Sequence, residues 1–306
     1  MNRNIIIEAP AKINLTLDVK GKRSDGYHEL ETVMHQIDLV DRIHIQPDTS
    51  ISVKSNSPDL PNDSSNLAYK AAQLILQTYG SGEGAAIFIE KNIPIGAGLA
   101  GGSTDAAAVL RGINVLYNYN IPNANLIDIS ARIGSDVPFC LQGNPRIIMD
   151  ENDLRKDEKV KGSTCVARGR GELLTSLNAR FLPWILIVKP DFQLSTAEVY
   201  ENFKMDQVYK VPDLDAFIKA WARYDIIEIA HCCENVLETI STVLCPEVLA
   251  IKKQLEKMRA IKATMSGSGP AVFGVFENHE DALKAQQIMR HSYCETYLVS
   301  SYGRGD

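Results

Sequence analysis

The stretch Pro94-Ile95-Gly96-Ala97-Gly98-Leu99-Ala100-Gly101-Gly102-Ser103-Thr104 decides how this chain reads. Four glycines lie in eleven residues, between a strand candidate at Ala85–Lys91 and a strong helix candidate over residues 104–117. Glycine admits positive φ and lets a ligand approach the backbone closely. A helix start offers unpaired N–H groups and the positive end of the macrodipole. Ser103 and Thr104 add hydroxyls. An isolated G-x-G is more often a turn followed by an N-cap, but this longer pattern in this position reads as a phosphate cradle. It lacks the GxxxxGK[ST] of a Walker A loop. Gly96, Gly98 and Gly101 do have the G-x-G-x-x-G spacing of dinucleotide-binding folds. Two features argue against such a fold: the strand-rich segment that comes first, and the lack of an acidic residue near Leu116–Tyr119.

The surroundings define the class. With 306 residues the expected count is two domains, and 45% hydrophobic and 23% charged residues exclude a disordered chain, a collagen or a coiled-coil rod. A net charge of -6 argues against general affinity for nucleic acid or an anionic membrane surface. The six cysteines form no C-x-x-C pair and read as buried free thiols of a reducing compartment. The opening MNRNIIIEAPAKINL does not read as a signal peptide, since its apolar run is short before Glu8 and Lys12, and no membrane-spanning run is expected. A bacterial-type cytoplasmic protein is expected.

In Ala11–Val19, Ile13, Leu15, Leu17 and Val19 alternate with Lys12, Asn14, Thr16 and Asp18. A strand is predicted there, with Lys12 and Asn14 sharing its polar face. Asn66–Tyr79 reads as a helix that Ser65 or Asn66 caps. Further helical patterns fill Leu214–Ile229, Glu234–Leu244 and Glu247–Met258. Strand candidates are Trp184–Lys189, Lys262–Met265 and Ala271–Phe276, the last two bracketing Gly267-Ser268-Gly269-Pro270. Strands and helices do not alternate as βαβ units, so an α+β fold is expected. Asn144–Lys161 stands apart: ten of its eighteen residues are charged, five of each sign.

Three segments in order carry a resemblance. Ala9-Pro10-Ala11-Lys12-Ile13-Asn14-Leu15, the glycine stretch continuing through Asp105-Ala106-Ala107, and Thr264-Met265-Ser266-Gly267-Ser268-Gly269-Pro270 resemble the three signatures of the GHMP kinases. That superfamily includes galactokinase and the homoserine, mevalonate and phosphomevalonate kinases. Arg23-Ser24-Asp25-Gly26-Tyr27-His28-Glu29, Gly134-Ser135-Asp136-Val137-Pro138-Phe139 and Ala167-Arg168-Gly169-Arg170-Gly171-Glu172 narrow the resemblance. They are similar to the branch of the non-mevalonate isoprenoid (terpenoid) pathway that acts on a cytidine diphosphate conjugate of methylerythritol. The resemblance covers nearly the whole chain. The segment Asn144–Lys161 is surplus to it.

The resemblance implies a two-domain fold. A ribosomal S5 domain 2-like N-terminal domain would span residues 1–178, with the charged insertion near 144–161, and a ferredoxin-like C-terminal domain residues 179–306. It implies ATP-dependent phosphorylation of the 2-hydroxyl of the methylerythritol moiety. Asp136 matches the catalytic aspartate and Lys12 the catalytic lysine. Pro94, Ile95, Gly96, Ala97, Gly98, Leu99, Ala100, Gly101, Gly102, Ser103 and Thr104 would hold the nucleotide. Asn14, Tyr27, His28, Tyr200, Gly267, Ser268 and Gly269 would meet the substrate, with Tyr27 and His28 on the cytosine and Tyr200 a second stacking ring. Asn66 and Leu67 fall where the family lines its adenine site. Phosphoryl transfer normally needs Mg²⁺. Ser103 and Thr104 are the candidate ligands, with Asp105 a weaker third. No nucleic acid or membrane partner is expected, and the chain is expected as a monomer or weak homodimer. The rival readings are another GHMP kinase, a nucleotide-sensing module on the same fold, and a dinucleotide-dependent oxidoreductase.

Overall fold

The computed structural model describes residues 4–149 and 160–303. In chain order the elements are β1 (Ile5–Lys22), β2 (His28–Asp48), β3 (Ile51–Ser55), α1 (Leu67–Tyr79), β4 (Gly84–Glu90), α2 (Gly101–Leu116), α3 (Asn123–Ser130) and α4 (Val137–Cys140). There follow β5 (Ile147–Ile148), β6 (Thr164–Gly169), β7 (Leu173–Ser176), β8 (Ile185–Lys189), α5 (Thr196–Asn202), α6 (Leu214–Arg223) and α7 (Ile226–His231). The last are β9 (Glu234–Asn235), α8 (Glu238–Leu244), α9 (Glu247–Lys257), β10 (Lys262–Met265), β11 (Val272–Val275), α10 (His279–Met289) and β12 (Glu295–Val299). The class is α+β, as the irregular alternation of patterns predicts.

The chain folds into two compact units, each built from several segments. The first comprises Met1–Ala11, Leu39–Ile95 and Ala100–Gly162, the second Lys12–Asp38, Gly96–Leu99 and Ser163–Asp306.

In the first unit, β4 pairs antiparallel with the later part of β2, from Arg42↔Glu90 to Asp48↔Gly84, and parallel with β3. Helices α1 and α2 pack together; α1 buries Ala68, Ala71, Ala72 and Ile75, and α2 buries Ala106, Val109, Leu110 and Ile113. The expected cap of α1 is present: Asn66 Oδ1 accepts from the Ala68 N–H at 2.8 Å. Helix α2 begins earlier than its apolar pattern suggests, directly within the glycines, with Ala100 at φ 58 as its N-cap.

Of the charged segment Asn144–Lys161, residues 144–149 and 160–161 lie in this unit, and residues 150–159 lie outside the described ones. Its two ends meet, because Asn144 and Lys161 exchange backbone hydrogen bonds of 2.7 and 3.0 Å. Between them β5 pairs with β1 through Ile6↔Ile148 and Ile7↔Ile147.

In the second unit, the antiparallel sheet β10-β11-β8-β12 carries the expected ferredoxin-like C-terminal pattern. Leu186, Val188, Val272 and Met265 from this sheet pack with Val248, Ile251 and Leu255 of α9 and with Ala282, Ala285 and Met289 of α10. The early part of β2 pairs with β6 from Leu30↔Gly169 to His35↔Thr164, and β6 pairs with β7. Two helical readings need correction. Leu214–Ile229 is two helices, because Tyr224 adopts φ 58 and caps α6. Glu234–Leu244 opens as a two-residue strand paired with β1 before α8 starts.

All six cysteines are free, and Cys140, Cys165, Cys233 and Cys245 are buried as expected. Cys232 is half-buried and Cys294 exposed, a correction to the uniform burial inferred from sequence. Cys294 lies in the short connection between α10 and β12, outside either apolar face. Among the described residues no helix is long and apolar enough to cross a membrane.

Candidate active site

Strand β1 carries the first signature. Its alternation holds, but its polar side is not solvated: Lys12, Asn14 and Thr16 are 4%, 2% and 1% exposed. Burial of such groups is tolerated only where their hydrogen bonds are made. The Lys12 ammonium donates to Asn14 Oδ1 at 2.6 Å and to the Gly98 carbonyl at 3.4 Å. Asn14 Nδ2 donates to Thr32 Oγ1 at 2.8 Å, and Thr32 Oγ1 donates to the Thr16 carbonyl.

Within the second unit this strand meets parts of the other two signatures. The Lys12 N–H donates to the Leu99 carbonyl at 3.1 Å. Ser266 Oγ accepts from the Asn14 N–H at 3.3 Å and donates to the Gly98 carbonyl at 3.0 Å. The Ala271 N–H donates to the Ala97 carbonyl at 3.2 Å. Segments that lie 252 positions apart, such as Asn14 and Ser266, are thus joined by direct bonds. Ser266 is the node, a role its sequence context does not mark beyond membership of the third signature. Gly267 faces Asn14: a Cβ there would stand 3.4 Å from Asn14 Oδ1. Ser268 Oγ lies 2.9 Å from Thr196 Oγ1.

The aromatic candidates also collect in this unit. The His28 and Tyr200 rings stack with centroids 5.0 Å apart and planes at 28°. Phe203, which sequence reasoning missed, meets His28 edge-on at 6.4 Å. Partial burial, and secondarily the charge of Lys22, lower the His28 pKa, which favours a neutral ring. Tyr27 is half exposed and has the Arg170 guanidinium 4.9 Å from its ring centroid, a cation–π contact. Arg23 closes the preceding turn by pairing with Asp25 and Glu29, and Asp25 accepts the Tyr27 N–H.

In the first unit lie Pro94, Ile95, Ala100 to Thr104, and Asp136. Gly101, Gly102 and Ser103 are half-buried in the first turn of α2. Thr104 is buried, and its hydroxyl donates to the Pro10 carbonyl at 2.8 Å. Asp136 is half-buried at the start of α4, but its side chain makes no capping hydrogen bond to that helix. Asn66 spends its amide locally: besides capping α1 it donates to the Pro61 carbonyl.

Beneath the start of α2 lies a buried cluster that the sequence did not reveal. Lys91 Nζ bonds Asp41 Oδ2 at 2.5 Å and Asp105 Oδ2 at 2.8 Å. Asp41 Oδ1 accepts the N–H groups of Asn92 and Ile93. A Cβ on Gly101 would approach Lys91 Nζ to 2.7 Å. Burial, with the like charge of Asp41, pushes the Asp105 carboxyl well above the usual carboxylate range despite Lys91. Burial pulls on Lys91 in the opposite direction, but Asp105 and Asp41 outweigh it and hold the ammonium above its ordinary value. Asp105 Oδ1 has no hydrogen-bond partner.

A strand lysine with its asparagine, a glycine loop opening a helix, and a second glycine turn bonded to both define a small-molecule kinase of the GHMP type. The profile of the GHMP kinases N terminal domain matches residues 66–144, and that of GHMP kinases C terminal matches residues 217–295. A curated 4-diphosphocytidyl-2-C-methyl-D-erythritol kinase from Syntrophomonas wolfei subsp. wolfei is 54% identical over 99% of this chain and 100% of its own. One from Caldicellulosiruptor saccharolyticus is 45% identical over 97% of each chain. A crystal structure of 4-(cytidine 5'-diphospho)-2C-methyl-D-erythritol kinase superposes with a TM-score of 0.78 at 31% identity, covering 98% of this chain and 100% of that one. The chain belongs to the 4-diphosphocytidyl-2-C-methyl-D-erythritol kinase family and has the two-domain GHMP kinase fold.

Proposed function

We propose that this enzyme transfers the γ-phosphoryl group of ATP to the 2-hydroxyl of 4-diphosphocytidyl-2-C-methyl-D-erythritol, a step toward isoprenoid precursors. The observation that carries the reading is the direct bonding of Lys12 and Asn14 to Gly98 and Ser266, which joins the three kinase signatures. The stacked His28–Tyr200 pair and the exposed Tyr27 support the cytidine end. A pyrimidine offers a π-face for such rings and a polar edge for a neutral histidine.

In this reading the N–H groups of residues 96–104 and the positive end of α2 receive the nucleotide phosphates. Asp136 accepts the proton that the attacking hydroxyl loses, since an alcohol is a poor nucleophile until that proton is in transit. Lys12 stabilises charge developing on the transferred group. Asn14, Gly267, Ser268 and Gly269 orient the substrate.

Among the described residues no group of three His, Cys, Asp or Glu side chains could hold a metal ion. Mg²⁺ is commonly bound through one or two protein oxygens and the substrate phosphates, and hydroxyl oxygen suits it. Ser103 leads as its ligand, since it is the more accessible hydroxyl, while Thr104 is committed to Pro10. Bound Mg²⁺ would neutralise phosphate charge.

The test is ADP release from purified enzyme with ATP and each candidate alcohol. Turnover only with the cytidylated substrate supports the reading; turnover only with mevalonate, homoserine or a sugar overturns it. Asp136→Asn is expected to lower kcat by about 10²-fold or more, the usual size of a general-base contribution, with nucleotide affinity near that of the parent. Survival of turnover would remove Asp136 as the base.

A further inference from the structure

The Gly267–Gly269 turn is gripped from one side by Glu234-Asn235-Val236-Leu237-Glu238, a stretch with no part in the chemistry proposed for the site. Asn235 is the centre of that grip. It is 4% exposed, and its Nδ2 donates to two carbonyls, Met265 and Gly267, each at 2.8 Å. Its Oδ1 accepts the Leu237 N–H at 3.0 Å, which fixes which end of the amide faces the turn. Glu238 Oε1 accepts the Met265 N–H at 2.8 Å while Oε2 pairs with Lys252. Ser241 Oγ donates to the Ser268 carbonyl at 3.3 Å. Asn235 is itself held in place, because β9 pairs with the first-signature strand through Thr16↔Glu234 and Leu17↔Asn235.

A trans peptide points its C=O and N–H in opposite directions. Drawing the Gly267 carbonyl toward Asn235 therefore turns the Ser268 N–H away from Asn235. Drawing the Met265 carbonyl the same way turns the Ser266 N–H to the Ala271 carbonyl, where it bonds at 2.9 Å. This places Ser266 so that its hydroxyl can bridge Asn14 and Gly98. A shorter polar side chain could not reach two carbonyls, and an aspartate would offer them only acceptor oxygens.

We propose that Asn235 is a positioning residue for phosphoryl transfer: it sets the peptide planes of the Gly267–Gly269 turn and, through Ser266, the register of that turn against Lys12 and Asn14. This role rests on the proposed function in one respect, that the turn faces the reacting groups. Misplacing a reacting constellation by about 1 Å can cost about 10²-fold in rate.

The direct test is Asn235→Ala, with Asn235→Ser standing in if the alanine variant does not fold. The parent is assayed first with ATP and the cytidylated substrate; parent inactivity would overturn the function reading and leave Asn235 to be judged by amide exchange alone. With an active parent, kcat per folded molecule is expected to fall at least about tenfold while KM for both substrates stays within about threefold. Amide hydrogen exchange over residues 265–269 is expected to accelerate by more than the change in global stability explains. A kcat within about twofold of the parent, or exchange that tracks global unfolding alone, would overturn the proposal. Ser241→Ala, which removes only the 3.3 Å bond, is expected to change kcat by less than about threefold.

Discussion

Replacing Gly98 by alanine separates a backbone strain from a steric one, because Gly96 provides a matched control two residues away. Gly98 has φ +77 and Gly96 φ +65. Each therefore charges alanine the same left-handed penalty, roughly 1–2 kcal/mol. Their surroundings differ. A Cβ on Gly96 would sit 3.6 Å from Gln193, an ordinary contact with a flexible side chain. A Cβ on Gly98 would lie 2.2 Å from the Ser266 carbonyl oxygen and 3.0 Å from the Gly269 nitrogen, both backbone. Since ordinary contact begins near 3.4 Å, the two segments must part by about 1 Å. That parting stretches the 3.0 Å bond from Ser266 Oγ to the Gly98 carbonyl and the 3.4 Å bond from Lys12 to the same oxygen.

A displacement of that size in a reacting constellation costs about 10²-fold. Gly98→Ala is thus expected to lose about 10²-fold in kcat, whereas Gly96→Ala loses stability but stays within a few-fold of the parent rate. Steady-state ADP release with ATP and the cytidylated alcohol gives kcat and both KM values, and thermal unfolding gives the stability change. A Gly98→Ala enzyme within about threefold of the parent kcat would refute the reasoning. So would a Gly96→Ala enzyme equally damaged, since strain alone would then explain both.

Tyr27→Ala is expected to raise KM for the cytidylated substrate roughly tenfold to a hundredfold, stacking on a base being worth roughly 1–3 kcal/mol; an equal rise in the KM of ATP would take Tyr27 out of the cytidine site. Lys91→Met leaves Asp41 and Asp105 buried without their common cation and is expected to cost about 3–5 kcal/mol in denaturant unfolding, whereas Asp105→Asn, which leaves a one-to-one pair, stays within about 1 kcal/mol. Similar losses in the two variants would contradict the charge argument. His35 is fully buried between Thr164 Oγ1 and Ser301 Oγ, and burial depresses its pKa to about 3. The unfolded chain takes up that proton near pH 6.5, so stability is intact above about pH 6.5 and falls by about 1.4 kcal/mol per pH unit toward pH 3. At about pH 4.5 the loss is about 3 kcal/mol, and His35→Gln should flatten this acid limb relative to its own neutral-pH stability. An unchanged slope would exclude His35 as its source.

What the sequence reveals and what it hides divide along a physical line. Local determinants are legible: the alternation of β1, the Asn66 cap, the glycine-rich opening of α2 and the irregular order of strands and helices. Each depends on residues within a few positions of one another. The environment of Lys12 and Asn14 is not legible, because the polar face they share finds its partners in Ser266, Thr32 and Gly98, which come from other parts of the chain. Glu234–Leu244 misleads for the same reason. Its helical pattern is sound from Glu238 onward, but Asn235 is claimed by the carbonyls of Met265 and Gly267, and its backbone by β1. Tertiary hydrogen bonds there override local preference. The Lys91 cluster is hidden likewise, since its members lie 50 and 14 positions apart.

The chain's charge of -6 can be reconciled with a phosphate-handling role through the placement of backbone groups. A basic patch would attract polyanions indiscriminately, and salt would screen it. Oriented N–H groups act only at close range and only where the peptide planes are fixed. Fixing them requires partners for the carbonyls on the opposite side, and the second unit supplies these for Met265, Gly267 and Ser268 from Asn235 and Ser241. In the first unit α2 starts inside the glycine run, so its terminal N–H groups fall at Gly101, Gly102 and Ser103, while the Thr104 N–H is spent on the Ala100 carbonyl. The specificity of such a site lies in neutral groups that leave no trace in a charge count. For that reason the side chains behind the turns, Asn235 foremost, repay mutation as much as the residues that face the substrate.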